Sequence, residues 1–193
     1  MLVVKLGGSM SRDPALRDWL ELLTEQGGGR VVIVAGGGGF ADQVRAHQAC
    51  WGFNDLTAHN MAILAMMQHA FMLHSLVPGM TLASTAMDIS AALHRCEVAV
   101  WTPSGMLREC ADDMTHWDVT SDSLAAWLSG HLVAERLVVV KSCLIEPGLD
   151  LATHARNGTL DDAFERFTRD AGYLIDIVNK SELDRMRALL QHL

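Results

Sequence analysis

Four consecutive glycines, Gly36 to Gly39, follow the β-branched run Val31-Val-Ile-Val-Ala35 and lead into a segment with helical spacing that reaches Arg45. The order is strand, glycine turn, helix. Glycine lets the backbone take positive φ and lets another group approach the main chain, while the free N–H groups and dipole of the following helix favour an anion. An oxyanion, above all a phosphate, is expected on this turn, with a merely tight strand-to-helix connection as the alternative. A second such turn comes earlier, where Leu2-Val-Val-Lys-Leu6 runs into Gly7-Gly8-Ser9. Between the two strands, Asp13-Pro14 reads as a helix start, and Leu16, Trp19, Leu20 and Leu23 mark one helical face before Gly27-Gly-Gly29. A β-α-β crossover between apolar strands makes the strands parallel and buried on both faces, with both glycine turns at one carboxyl edge.

The rest of the chain extends this pattern. Residues 40–77 are helical in spacing, broken at Trp51-Gly-Phe-Asn-Asp55, with a methionine-rich second helix from Thr57 to Leu76. Met61, Met66, Met67 and Met72 are read there as core filler. A short helix over Asp88 to Leu93 precedes a strand, Glu97 to Trp101, and Thr120, Ser121 or Asp122 can cap a helix carrying Leu124, Trp127 and Leu128. Arg136 to Lys141 is a further buried strand, followed by a loop of about fifteen residues, a length that is often functional. A helix over Leu160 to Ala171, a strand over Tyr173 to Val178 and a capping box at Ser181-Glu-Leu-Asp184 complete the reading. Strands alternating with helices predict one α/β domain over residues 1–193, a three-layer α/β/α sandwich around a mostly parallel sheet.

Composition narrows the partners. The formal charge of −8 and the lack of any Lys/Arg run argue against nucleic acid. Apolar runs break well before the roughly 18 residues of a membrane span. Nothing at the N-terminus resembles an export signal, so the cytoplasm is the expected compartment. Cys50, Cys96, Cys110 and Cys143 form no C-x-x-C pair and are expected to be reduced, partly buried thiols.

Lysine is rare here: Lys5, Lys141 and Lys180 stand against twelve arginines. Lys5 and Lys141 end predicted strands, where ligands of parallel α/β sheets bind. Phosphoryl transfer needs positive charge and N–H donors on the oxygens in flight, and Lys5 beside two glycine turns can supply both. A lysine whose stem lies along the strand end with its charge in water is the bland alternative. The phosphate loop G-x-x-x-x-G-K-[ST] is missing. Gly36-Gly-Gly38-Gly-Phe-Ala41 fits a permissive dinucleotide fingerprint, but the acidic residue at the right distance, Asp55, precedes a helix rather than ending a strand. Asp122 reads equally as a helix cap or as a group positioning a lysine or a magnesium-bound nucleotide. Arg45 can clamp an anionic acceptor or pair with Asp42 one helical turn away. His47, His59, His69 and His74 lack metal-site spacing, and Ser9 has no recognisable base and acid partner.

Lys5-Leu-Gly-Gly-Ser9, Gly36-Gly-Gly-Gly39 and Thr120-Ser-Asp-Ser-Leu-Ala-Ala126 before the strand ending at Lys141 together resemble the amino acid kinase superfamily, which includes acetylglutamate, aspartate, uridylate and isopentenyl phosphate kinases. The shortness of the chain, Gly-Gly-Gly-Phe-Ala-Asp-Gln-Val-Arg45 and Ala58-His-Asn-Met-Ala-Ile-Leu-Ala-Met66 look most like the compact kinases of methanofuran biosynthesis, which convert an aminomethylfuran-methyl phosphate to its diphosphate. The resemblance implies an ATP- and Mg²⁺-dependent kinase with an anionic small-molecule acceptor, and a homo-oligomer. It implies Lys5 as the lysine on the transferring phosphoryl group and Asp122 as the aspartate that orients the catalytic lysines. Gly7, Gly8 and Ser9 would lie along ATP, with Lys141 there by position, and Gly36, Gly37, Gly38 and Arg45 would face the acceptor. No protein metal ligand is assigned. The chain departs from larger members after the fourth strand, where Val140-Lys-Ser-Cys-Leu-Ile-Glu-Pro-Gly148 replaces a Thr-Asp-x-x-Gly-Val-Tyr-like nucleotide segment and a second lysine of a late loop has no counterpart. A carboxylate kinase of acetylglutamate type and a non-catalytic nucleotide- or oxyanion-binding protein on the same fold are the alternatives.

Overall fold

A computed structural model describes residues 1–107 and 113–192. Its centre is one six-stranded, wholly parallel sheet in the order β3-β4-β2-β1-β5-β6. The strands are β1 (Leu2–Leu6), β2 (Val31–Ala35), β3 (Met80–Ala83), β4 (Val98–Trp101), β5 (Arg136–Lys141) and β6 (Leu174–Asn179). The helices are α1 (Ala15–Gly27), α2 (Gly38–Trp51), α3 (Asp55–Leu76), α4 (Ala86–His94), α5 (Ser104–Leu107), α6 (Ser121–His131), α7 (Leu151–Arg156), α8 (Phe164–Thr168) and α9 (Leu183–Gln191). A 3₁₀ turn over Gly8–Arg12 follows β1.

The two-residue period of β1 sorts its side chains. Leu2, Val4 and Leu6 enter one apolar core with α1 and α9, while Val3 enters the opposite core with α4, α6 and α8. Lys5 therefore falls on the α6 side of the sheet. In β5 the same alternation puts Val138 and Val140 on the α1 side and Leu137 and Val139 on the other, so Lys141 shares a face with Lys5. Helix α3 contributes to both cores, through Ile63 and Met66 to one and Ala70 and Leu73 to the other.

Strand β1 is followed by β2 on one side of it, whereas neighbouring β5 leads away to β6 on the other. The chain thus leaves two adjacent strands in opposite directions, which opens a crevice at their carboxyl ends. Lys5 and Lys141 stand at this crevice.

The structure corrects several local expectations. A sixth strand, β3, follows Pro78-Gly79 directly; its four residues, at the edge of the sheet, carry too little periodicity to announce it. The long loop after β5 contains α7, and the helix expected over Leu160 to Ala171 contracts to α8. No side chain caps α9; instead Asn179 accepts from Ser181, and Glu182 accepts from the Asn179 N–H. Cys50, Cys96 and Cys143 are free but exposed rather than partly buried, because Cys50 lies in the last turn of α2 and Cys96 and Cys143 lie in the connections after α4 and β5. Cys110 lies outside the described residues.

Candidate functional site

Burial of a carboxylate costs several kcal/mol unless the charge is compensated. Asp122, 2% exposed in the first turn of α6, is compensated twice: Lys5 Nζ lies 2.5 Å from Oδ1, and Lys141 Nζ donates to Oδ2 at 2.5 Å. Lys5 is itself only 4% exposed. Burial pushes the Asp122 carboxyl upward, but the two ammonium groups outweigh it and hold the group below its ordinary value. Burial, reinforced by repulsion from Lys5, lowers Lys141 despite its pairing with Asp122. Two cations around one anion leave an uncompensated positive charge at the crevice. Such a cluster attracts an anionic ligand.

The first glycine turn lies against this charge. A side-chain carbon at Gly7 would stand 3.9 Å from Lys5 Nζ. Gly8 and the second turn touch through their backbones: a β-carbon on Gly8 would fall 2.4 Å from the Gly38 nitrogen, and one on Gly36 would fall 2.5 Å from the Gly8 nitrogen. Gly38 has φ of 54°. The glycines thus serve the packing of turn against turn as well as any ligand. Ser9 Oγ and Ser142 Oγ share a hydrogen bond of 2.6 Å across the exits of β1 and β5. The fully buried His69 ring bonds through Nδ1 to the Gly36 carbonyl; burial, with Lys5 nearby, lowers its pKa.

Helix α2 begins with Gly37 at its N-cap and no side chain capping it, so its first N–H groups have no side-chain acceptor. The glycines at this end line a cavity of about 650 Å³. Gly8, Ser9, Gly37, Gly38 and Arg45 line it, together with Ser121 and Leu124 of α6. The Arg45 guanidinium lies 4.4 Å from the centre of the Trp117 ring and 3.4 Å from Asp42. Trp117 in turn donates to Gln48 Oε1. Arg12, exposed on the 3₁₀ turn, also lines the cavity and comes near Gly39.

Of the residues singled out in the sequence, Lys5, Asp122 and Lys141 form one buried cluster, and Gly7, Gly8 and Ser9 lie beside it. Gly36, Gly37 and Gly38 abut the same turn, and Arg45 stands farther out on the cavity wall. Asp55 is the first residue of α3 and also lines the cavity, so it does not take the strand-end place of a dinucleotide fingerprint. His59 is on the same wall. Sequence reasoning missed Arg12 and His69 as parts of the site. It also missed Asp161, whose carboxylate accepts from Thr120 N and Ser123 N at the start of α6. Only the capping pattern around Thr120 hinted that the end of α6 mattered.

A doubly covered parallel sheet with a charged crevice between β1 and β5 defines the class: an α/β domain that takes its ligands at the carboxyl edge. Within that class the chain belongs to the amino acid kinase family, whose family model matches residues 1–143. No curated protein matches it in sequence. Among solved structures it is similar to uridylate kinase from Archaeoglobus fulgidus, with a TM-score of 0.71 at 15% identity over 98% of this chain and 95% of that one. UMP kinase from Bacillus anthracis gives 0.71 at 14% identity over 100% and 92%, and an isopentenyl phosphate kinase gives 0.62 at 15% over 100% and 96%. At these identities the likeness is one of fold.

Proposed function

We propose that the protein is an ATP-dependent kinase that transfers the γ-phosphoryl group to an anionic small molecule, a phosphomonoester of the aminomethylfuran-methyl phosphate kind. The observation that carries this reading is the Asp122 carboxylate held between Lys5 and Lys141 beside an uncapped helix end. Family membership supports a phosphotransferase. ATP lies along Gly7, Gly8 and Ser9 with Lys141 at its phosphates, and the acceptor occupies the cavity between the Gly36 turn and Arg45. Mg²⁺ is held chiefly by the nucleotide's phosphates, the usual mode for this ion.

An oxygen of the acceptor phosphate attacks the γ-phosphorus, the bond from that phosphorus to the β–γ bridging oxygen breaks, and ADP leaves with the bonding electrons. A phosphomonoester is largely a dianion at neutral pH, its second pKa being about 6, so the attacking oxygen needs no general base. The work of the protein is alignment and charge stabilisation. Lys5, fixed by Asp122, meets the phosphoryl oxygens in flight, while the α2 N–H groups receive the acceptor side.

The test is ADP release with phosphomonoester acceptors, with the diphosphate product read by ³¹P NMR. Trapping of an acyl phosphate by hydroxylamine would instead establish a carboxylate acceptor. ATP binding by calorimetry without turnover on any acceptor would establish a non-catalytic binder.

The reading includes a homo-oligomer in the cytoplasm. Helix α3 carries large apolar side chains on both its inner and outer sides: Ile63, Met66 and Leu73 are buried, yet Leu64 and Phe71 remain 45% and 54% exposed. A helix of that kind normally has both sides covered. Light scattering on the purified chain checks this, with a dimer or larger assembly expected. No helix among the described residues is long and apolar enough to cross a membrane.

A further inference from the structure

The region beyond residue 143, where the family match ends, reaches back into the candidate site at one point. Asp161 Oδ2 accepts from Thr120 N at 2.8 Å, Thr120 Oγ1 at 2.7 Å and Ser123 N at 3.0 Å, and Oδ1 accepts from Ser123 Oγ. These donors flank Asp122 on both sides. The Asp122 N–H faces Thr120 Oγ1 at 3.4 Å, a longer contact that depends on the same threonine. One carboxylate from another part of the chain therefore ties down the first turn of α6.

Asp161 is itself held firmly. Leu160 and Phe164, on either side of it, are 3% and 0% exposed in the core shared with α6. The Asp161 carbonyl accepts from Phe164 N at 3.1 Å, and Asp118 O accepts from Ala163 N at 3.2 Å, so the two segments are joined by backbone as well as side chain. This is more than a local cap requires, because Thr120 already stands at the N-cap position. What the additional carboxylate fixes is the direction in which Asp122 leaves the helix. Placing one carboxylate 2.5 Å from two separate ammonium groups leaves little angular freedom.

We propose that Asp161 is a positioning residue: by clamping Thr120 and Ser123 it holds Asp122 between Lys5 and Lys141, and through Asp122 it sets where those lysines meet the phosphoryl group. The proposal rests on the kinase reading for its catalytic consequence and on the clamp itself for its structural one. It gives the segment after β5 a task in the site although that segment bears none of the family's nucleotide motif.

Two measurements test it. In Asp161→Ala, kcat should fall on the order of 10²-fold while KM for ATP stays nearly unchanged, the outcome of misplacing a catalytic group by about 1 Å. Asp161→Asn can keep the geometry, its amide oxygen accepting at the Oδ2 position and its NH₂ donating to Ser123 Oγ, and should retain kcat within about fivefold. If the alanine variant does not fold, Asp161→Glu replaces it, since its carboxylate is carried one methylene too far, and the same loss is expected.

The second measurement needs no turnover. The rate at which a small acylating reagent labels Lys141, read by mass spectrometry against Lys180 as internal control, reports the pairing with Asp122. Loss of that pairing frees the amine, so Lys141 labelling should rise several-fold in Asp161→Ala and in Asp122→Asn, and remain near wild type in Asp161→Asn. A folded Asp161→Ala with wild-type kcat and wild-type labelling of Lys141 overturns the proposal. So does an asparagine variant as impaired as the alanine one. If the wild-type protein transfers phosphate to no acceptor, the kinase reading falls and the labelling still decides the role of the clamp.

Discussion

Two helices begin at the carboxyl edge of this sheet within reach of one cavity, and they are finished in opposite ways. The first turn of α6 is tied down: Thr120 caps it, Asp161 accepts from Thr120 N and Ser123 N, and its own Asp122 binds two lysines. The first turn of α2 starts from glycines, has no side-chain cap and shares its cavity with Arg12 and Arg45. Both ends carry the same partial positive charge. Where the protein supplies its own carboxylate, the helix end becomes a mount for a cluster of two lysines and an aspartate. Where it leaves the end bare, the N–H groups remain for an external anion. In the proposed kinase, the contrast places the phosphate of the acceptor at α2 rather than at α6.

Breaking the α6 end should have the largest effect. Lys5→Ala is expected to lower kcat by about 10² or more, by comparison with the loss of a preorganised oxyanion donor, and steady-state ADP release measures it. Asp122→Ala should also lower stability by about 3 kcal/mol, because it leaves the buried Lys5 ammonium and the partly buried Lys141 ammonium without their counter-charge; urea unfolding gives that value.

The α2 end can be made to imitate α6. A β-carbon at Gly39 meets nothing closer than Arg12 at 3.9 Å, so Gly39→Asp can be accommodated and brings a carboxylate to the bare helix end. It should raise the KM of a phosphomonoester acceptor about tenfold or more, as loss of a charge-assisted contact does. The melting temperature should not fall, since a negative charge in the first turn stabilises a helix. A lower acceptor KM would refute the assignment of the anion to α2. Gly37 is the poorer probe, because a β-carbon there would lie 2.6 Å from that of Ala41.

Arg12→Ala and Arg45→Ala should each raise acceptor KM several-fold and leave ATP binding by calorimetry unchanged, the range set by hydrogen bonds to charged groups being about 1.5–3 kcal/mol before solvent exposure reduces it. The smallest effect is one of pH. Burial and Lys5 make the Lys141 ammonium easier to deprotonate than an ordinary lysine, whose value is 10.5. As pH rises, the cationic form is lost early, and kcat/KM for ATP should decline with a midpoint below 10.5. Asp122 opposes that loss, so Asp122→Asn should move the midpoint lower still.

How far the sequence disclosed this arrangement depends on the range of the interactions. Lys5 and the two glycine turns were readable because strand, turn and helix lie within a few residues of one another, and β1 and β2 pair in parallel as the crossover required. Lys141 followed from its place at the end of β5. Asp122 alone was ambiguous: its neighbours suit a cap, and only the pairing of β1 with β5 brings both lysines to it. Asp161 was not readable at all, since its partners lie about forty positions away and nothing local distinguishes it from Asp162. Strand β3 was hidden for the converse reason, being too short for its alternation to register.

Helix α3 carries a mechanical consequence. Its first turns form part of the cavity wall at His59 and Ile63, its middle holds the Gly36 carbonyl through His69, and its last turns pack Leu73 into the far core. The helix has no break between these points, so in the proposed kinase any ordering of the cavity wall by an acceptor would be transmitted along one hydrogen-bonded rod. Amides near Leu73, on the far side of the sheet from the cavity, should therefore exchange with solvent more slowly when an acceptor is bound, even though no acceptor atom reaches them.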